Sequence, residues 1–439
     1  MRGDSISSPL KPFSLYKHNP LFVKLVVLSL LLGLAFRLFS SHSFDYKSSS
    51  VLESQSSPTI DSQETGLLTS DEGTVTQSQN EVSKDEAKPK CDLLKGEWVP
   101  NPSGPVYNNN SCKFIEEHQN CVKNGRPDSG YLYWRWSPRD CELPKFNPER
   151  FLDLMRNKKW AFIGDSISRN HVQSLICTLS QVDPAKEIYH DEQFKSKTWR
   201  FPSCNFTVAV IWSPFLLKAD IFEDNYGFST ADIELHLDKL DEKWTSQFMD
   251  FDYAIISGGK WFLKTAIYYE NNTIQGCHYC PKRNLTDLGF DHAYRKAVKL
   301  VFDFVKNSSH KAVVFFRTIT PDHFEGGEWF SGGTCERTVP FKEGEWNISS
   351  VDRVFHEIEL QEFDKVANGS TSDNGPVLKL LDTTGLSLSR PDGHPGPYRE
   401  FQPFAKDKNA KVQNDCLHWC LPGPIDSWND LVMEMLING

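Results

Sequence analysis

Apolar runs of five or six residues recur through the later part of the chain: Lys159 to Ile163, Thr207 to Trp212, Tyr253 to Ser257, Ala312 to Arg317 and Val377 to Leu381. None alternates strictly with polar residues, which is the pattern of strands covered on both faces. Between and after them, residues 167–181, 290–306 and 351–367 carry apolar side chains at helical spacing, and 425–437 closes the chain in the same way. Strand and helix in turn predict a parallel sheet with helices on both sides, an α/β body over residues 151–439.

Ahead of that body the pattern changes three times. Residues 21–39, LFVKLVVLSLLLGLAFRLF, are apolar over about the length that spans a bilayer. They predict a transmembrane signal anchor, with residues 1–20 as a cytosolic tail. Lys11, Lys17 and Lys24 at its leading end orient it by the positive-inside rule, so that everything after it is lumenal. The expected topology is single-pass type II, and the short anchor favours the Golgi membrane. Residues 40–90 are rich in Ser, Thr, Gln and Glu with almost no aromatics, so they cannot offset their ordering entropy and read as a disordered lumenal stem. Residues 91–150 are dense in Cys, Trp, Tyr and Pro and read as a loop-rich segment stapled onto the body.

Composition narrows the function. A formal net charge of -10, with no basic stripe beyond the first few dozen residues, excludes a phosphate-reading protein, so no nucleic acid partner is expected. Seven Asn-x-Ser/Thr sequons follow the anchor, at Asn109, Asn205, Asn271, Asn284, Asn307, Asn347 and Asn368, which fits glycosylation in a lumenal compartment. There the 11 cysteines form a disulfide framework by default. Cys277-His278-Tyr279-Cys280 is a lone C-x-x-C without a second pair, so no metal site is expected. Among 12 Trp, residues Trp134, Trp136, Trp212, Trp261 and Trp419 are candidates for stacking sugar rings, against core packing as the commoner role.

Two segments carry chemistry. In Trp160-Ala-Phe-Ile-Gly164-Asp165-Ser166-Ile-Ser-Arg169-Asn170 an apolar strand runs into Gly-Asp-Ser and then into a helix. Ser166 is thereby placed at the carboxyl end of a strand and at a helix N-terminus, where backbone N–H groups can receive a developing oxyanion. The bland alternative is that Asp165 and Ser166 only cap the helix. Far downstream, Asp415-Cys-Leu-His418-Trp-Cys420 offers an imidazole with a carboxylate three residues before it. A serine hydroxyl needs such a base, and the base needs a partner that fixes its tautomer. The alternative is a structural histidine between two disulfides.

Gly-Asp-Ser early and Asp-x-x-His late resemble the SGNH, or GDSL-like, hydrolases. Gly125-Arg126-Pro127-Asp128, Trp134-Arg-Trp-Ser-Pro138, the Gly164 block and Asp415-Cys-Leu-His-Trp-Cys-Leu-Pro-Gly423 resemble the plant trichome birefringence-like polysaccharide O-acetyltransferases, over residue 91 to the end. The resemblance implies an SGNH-like three-layer α/β/α fold. It implies an enzyme in the Golgi lumen that moves acetyl onto hydroxyls of a cell-wall polysaccharide. Ser166 is then the nucleophile, His418 the general base and acid, and Asp415 its orienting carboxylate, with an acetyl-serine intermediate. The Ser-Gly-Gly-Lys-Trp-Phe block at 257–262 resembles the xyloglucan branch more than the xylan branch. The superfamily's oxyanion Asn has no counterpart in this block, which leaves the Ser166 N–H with Gly258 or Gly259. Arg169, one turn beyond Ser166, is read either as a substrate contact or as a surface ion pair.

The same resemblance implies disulfides Cys91–Cys141, Cys112–Cys177, Cys121–Cys420 and Cys335–Cys416, two of which would clamp the loop from Asp415 to His418; Cys204 is left to pair with Cys277 or Cys280. Residues 390–398 form another family-like block in which Asp392 and His394 are either catalysts or turn formers. No bound cofactor is expected. An acetyl donor is required, and no nucleotide-type Gly-rich loop identifies it; acetyl-CoA is one candidate. Expected partners are a polysaccharide acceptor, the Golgi membrane through one helix, and membrane proteins that supply the donor. The competing functions are an acetylesterase, with water as acceptor, and a non-catalytic wall-glycan binder.

Overall fold

Residues 91–222, 230–367 and 375–438 are described by a computed structural model. The predicted tail, anchor and stem, and the sequon at Asn368, lie outside these residues. Among the described residues no helix is long and apolar enough to cross a membrane.

The five apolar runs pair side by side. Val377–Leu381 (β13) lies next to Val313–Arg317 (β12), then come Tyr253–Ile256 (β9), Lys159–Gly164 (β3) and Phe206–Trp212 (β6), all parallel. Register sets Phe162 opposite Ile255 and Val210, and Ile163 opposite Ile256 and Ile211. Two antiparallel strands, Lys197–Phe201 (β5) and Lys186–His190 (β4), extend one edge. All five residues of β4 are exposed, and its Lys186, Glu187 and His190 suit an unpaired edge, where charge discourages further pairing.

Period-two alternation in β3 divides the core. Trp160 and Phe162 pack with Val172 and Ile176 of Ser166–Leu179 (α1) and with Trp428 and Leu431 of Asp426–Ile437 (α4). Ala161 and Ile163 pack on the other side, with Val298 and Phe302 of Gly289–Asn307 (α2) and Phe355 and Ile358 of Ser350–Ala367 (α3). The result is the expected three-layer α/β/α body. A second sheet, absent from the sequence reading, orders Thr273–His278 (β11), Ala266–Glu270 (β10), Ile233–Leu240 (β8) and Leu217–Asp220 (β7), with β8 against α2.

The Cys- and Trp-rich segment pairs Gly96–Pro100 (β1) with Trp134–Pro138 (β2), setting Trp98 opposite Trp136. Cys91–Cys141 closes it, and Cys112–Cys177 and Cys121–Cys420 fasten it to the body. Cys335–Cys416 is present within the body. Cys277 and Cys280 pair with each other, and Cys204 is a buried thiol, so the pairing left open for Cys204 is not made. Trp136, Trp212 and Trp419 are buried core residues, which removes them as free sugar platforms.

Candidate active site

The turn from β3 into α1 is built for close approach. Gly164 has φ +150°, and a Cβ there would sit 2.2 Å from the Ser257 carbonyl oxygen, so only glycine lets β3 lie this near the end of β9. Asp165 caps α1 by accepting from the Ile167 N–H at 3.0 Å. Capping and an active serine are therefore compatible, because Asp165 takes the capping role and leaves Ser166 as the first residue of the helix.

The loop after Cys416 is fixed from several sides. Asp415 Oδ1 accepts the N–H groups of Leu417 (3.1 Å) and His418 (3.0 Å), while Oδ2 lies 2.8 Å from His418 Nδ1. Burial pushes the Asp415 carboxyl up, but the imidazole's charge and these hydrogen bonds win and hold it well below the usual carboxylate range. Burial lowers His418, and the charge and hydrogen bond of Asp415 outweigh that, so its pKa lies above the ordinary imidazole value. His418 Nε2, on the side of the ring away from Asp415, is buried and has no hydrogen-bond partner among the described residues.

Ser166, His418 and Asp415 line one cavity of about 520 Å³. The structure thus brings together at the carboxyl edge of the sheet residues some 250 positions apart, where open α/β sheets bind ligands. Gly258 and Arg169 also line this cavity. Gly259 does not; its φ of +153° and the 2.1 Å between an added Cβ and Ile319 Cδ1 give that glycine a packing role. Arg169 lines the cavity and is ion-paired, its Nη2 2.5 Å from Glu116 Oε2 of the N-terminal segment with both side chains largely buried, so the pair is not a surface one. Glu116 is lowered to about 2: burial opposes ionisation, and His118 with Arg169 overcomes it.

Several contributors are missed by sequence reasoning. His118 and Gln119 bring the N-terminal segment into the cavity wall, and nothing local marks them. Asn170 accepts the Trp419 N–H at 2.7 Å and donates to the Trp419 carbonyl at 3.2 Å, tying α1 to the residue after His418. Its spacing, four residues from Ser166 on one helix face, is the signal that could have found it. Arg317, at the end of β12 and also lining the cavity, donates to Ser257 Oγ at 2.7 Å, and Ser257 Oγ lies 2.9 Å from Ser168 Oγ. The Gly125-Arg126-Pro127-Asp128 block is a strut: Arg126 pairs with Asp128 and donates to the carbonyls of His394 and Asp392, each at 2.7 Å.

Asp392 and His394 are absent from the cavity lining. Asp392 is wholly buried in an ion pair with Arg390. His394 stacks on Trp419 at 4.4 Å, with Nδ1 2.8 Å from the His418 carbonyl and Nε2 2.7 Å from His323 Nδ1; His323 Nε2 lies 2.9 Å from the Leu388 carbonyl. A carbonyl at each end takes the one N–H that each neutral ring carries; a third proton, in the contact between the rings, would make the pair cationic, and burial opposes it. Burial pushes both rings' pKa values down, His394 furthest. Replacing His394 by Phe keeps a ring on Trp419 and strands the His418 carbonyl and His323. Urea unfolding should show a loss of about 1–3 kcal/mol for each buried group left unmade; an unchanged midpoint would rule the relay out as a support.

Comparison with known proteins adds to this geometry. Residues 143–435 match a GDSL/SGNH-like acyl-esterase family found in Pmr5 and Cas1p, and residues 89–142 match the PMR5 N-terminal domain. The chain is 55% identical over 435 residues to protein trichome birefringence-like 25 of Arabidopsis thaliana, covering 97% of this chain and 95% of that one. The chain belongs to the trichome birefringence-like family. Two Populus trichocarpa relatives, xyloglucan O-acetyltransferases 1 and 2, are each 43% identical, covering 85% and 80% of this chain and 86% and 83% of theirs. In this trichome birefringence-like chain the two family matches meet between residues 142 and 143, and both supply walls of the cavity.

Proposed function

We propose that this protein is a polysaccharide O-acetyltransferase that carries acetyl on Ser166 and delivers it to a hydroxyl of a neutral hemicellulose, xyloglucan before xylan. The observation that carries this reading is the ionised Asp415 aligned on His418 Nδ1 while the unpartnered Nε2 and Ser166 face one cavity. The names of the two Populus relatives favour the acceptor.

In the first half-reaction His418 Nε2 takes the Ser166 proton as Oγ attacks the donor's acetyl carbonyl. The oxyanion is held by the N–H of Ser166 with that of Gly258, and the donor's leaving group departs with the proton from His418. In the second, a sugar hydroxyl enters, gives its proton to His418, and attacks the acetyl-serine; Ser166 Oγ leaves and is reprotonated. The protein is proposed to act in the Golgi lumen, held by residues 21–39. Asn205, Asn271, Asn284, Asn307 and Asn347 are exposed and Asn109 is half-buried, which suits glycan attachment there.

The test is an incubation of the full-length protein with acetyl-CoA or a small acetyl ester and with deacetylated xyloglucan, xylan or pectin, read by product mass. The wild type should gain one acetyl on a peptide containing Ser166 and pass it to xyloglucan, and Ser166→Ala should do neither. Acetate release without polymer gain would mark an esterase; glycan retention unchanged in Ser166→Ala, with no acetyl transfer, would mark a binder.

A further inference from the structure

The cavity that holds Ser166 and His418 has an outer wall with no counterpart in the chemistry just described. Residues 325–334 form a hairpin closed by an antiparallel bridge, with Glu325 N–H to Thr334 O at 2.7 Å and Thr334 N–H to Glu325 O at 2.9 Å. At its tip Trp329 is 49% and Phe330 73% exposed, and both line the cavity. Large apolar rings left in water forgo the stabilisation that burial gives, and these two stand side by side on the rim of the cavity that holds Ser166.

The tip is held in register with the catalytic loop. Cys335, the residue after the hairpin, is bonded to Cys416, which lies between Asp415 and His418. On the other side the His323 N–H donates to the Cys416 carbonyl at 3.0 Å, and Gln413 Nε2 reaches the Trp329 carbonyl at 3.1 Å. An acceptor seated on the tip is therefore referenced to His418 through short covalent and hydrogen-bonded links.

We propose that Trp329 and Phe330 form the acceptor subsite, binding a neutral, branched, β-linked polysaccharide by the apolar faces of its pyranose rings; this rests on the acetyltransferase reading above. The two rings stand edge to face, with centroids 5.9 Å apart and an 89° angle, so their free faces point in different directions. A straight ribbon uses one such face, and a chain with a side branch uses both: the backbone sugar on Trp329, the branch on the more exposed Phe330.

Binding to the inactive Ser166→Ala protein separates this subsite from the chemistry. Calorimetry with a branched neutral glucan oligosaccharide and its unbranched form should rank affinity in that order. Adding Trp329→Ala should weaken both glucans roughly tenfold, and adding Phe330→Ala should abolish the preference for the branched one. Trp329→Phe should restore most of the loss. In the active protein, Trp329→Ala should raise acceptor KM by about the same factor with kcat falling less than twofold. Unchanged glucan affinity in both variants overturns the inference and leaves the acetyltransferase reading standing. Equal falls in kcat and 1/KM, unrescued by Trp329→Phe, also overturn it, since they mark a structural role. Failure of Ser166-dependent acetyl capture in the wild type sinks the acetyltransferase reading instead.

Discussion

Asp415→Asn is expected to lower acetyl transfer about 10⁴-fold while leaving the protein folded. The size follows from which way the new amide must point. In the native loop one carboxylate oxygen accepts the N–H groups of Leu417 and His418, and the other faces His418 Nδ1. An asparagine keeps both backbone bonds only with its carbonyl oxygen toward them. That turns its NH2 toward Nδ1, which must then accept. The hydrogen moves to Nε2, and the nitrogen facing the cavity can no longer take a proton from Ser166. Single-turnover transfer measured alongside urea unfolding distinguishes this from misfolding; a variant within tenfold of wild type would remove Asp415 from the proposed triad.

The pH dependence has a determined sign. In the proposed mechanism His418 acts as base only when neutral, and its pKa is raised, so kcat should climb with pH through a value above that of an ordinary imidazole. Asp415 is the group that raises it, opposing the effect of burial. In Asp415→Asn the residual activity should therefore reach its plateau at lower pH than in the wild type.

The main sheet was legible because its central strands are covered on both faces and so read as unbroken apolar runs. β4 and β5 were not: β4 is exposed throughout, and its Lys-Glu-Ile-Tyr-His carries no burial signal. In the second sheet Ile233–Leu240 does alternate apolar and polar residues, a strand signal, whereas Thr273–His278 carries none, and the pairing partners of both are chosen by tertiary contact. Within the site, Ser166, Asp415 and His418 could be singled out because each lies in a local motif, at a strand end or in a short Asp-x-x-His, and the fold brings the three to one cavity. The exposed tip at Trp329 and Phe330 leaves none, since an aromatic residue looks the same in sequence whether it fills a core or waits for a ligand. The reverse error was open at Trp419 and His394, which sit in motif-like blocks and prove to be packing and support.

Arg390→Met is expected to cost about 3–5 kcal/mol of stability, the range for stranding one member of a buried ion pair. Arg390 and Asp392 are both wholly buried, and their contact is bidentate: Nε to Oδ1 at 2.8 Å and Nη2 to Oδ2 at 2.9 Å. Nη2 also donates to the Tyr131 carbonyl at 2.8 Å, and the guanidinium lies 4.3 Å from the Trp98 ring centre, so one side chain joins the N-terminal segment to the body. Methionine fills much of the volume and leaves the Asp392 carboxylate without its cation and the Tyr131 carbonyl without its donor. Arg390→Met with Asp392→Leu should recover a large part of the loss, because the desolvation of both charges disappears together. Urea midpoints at constant m-value measure both. A single replacement costing under about 1 kcal/mol would mean that water reaches Asp392; a double replacement as unstable as the single would put the cost in the lost contacts with Tyr131 and Trp98. In either case the turn at Asp392 to His394, held also by Arg126, by the Cys420 N–H to the Gly393 carbonyl at 2.9 Å and by His394 on the His418 carbonyl, should loosen before the sheet does, since β3 is paired along its length on both edges.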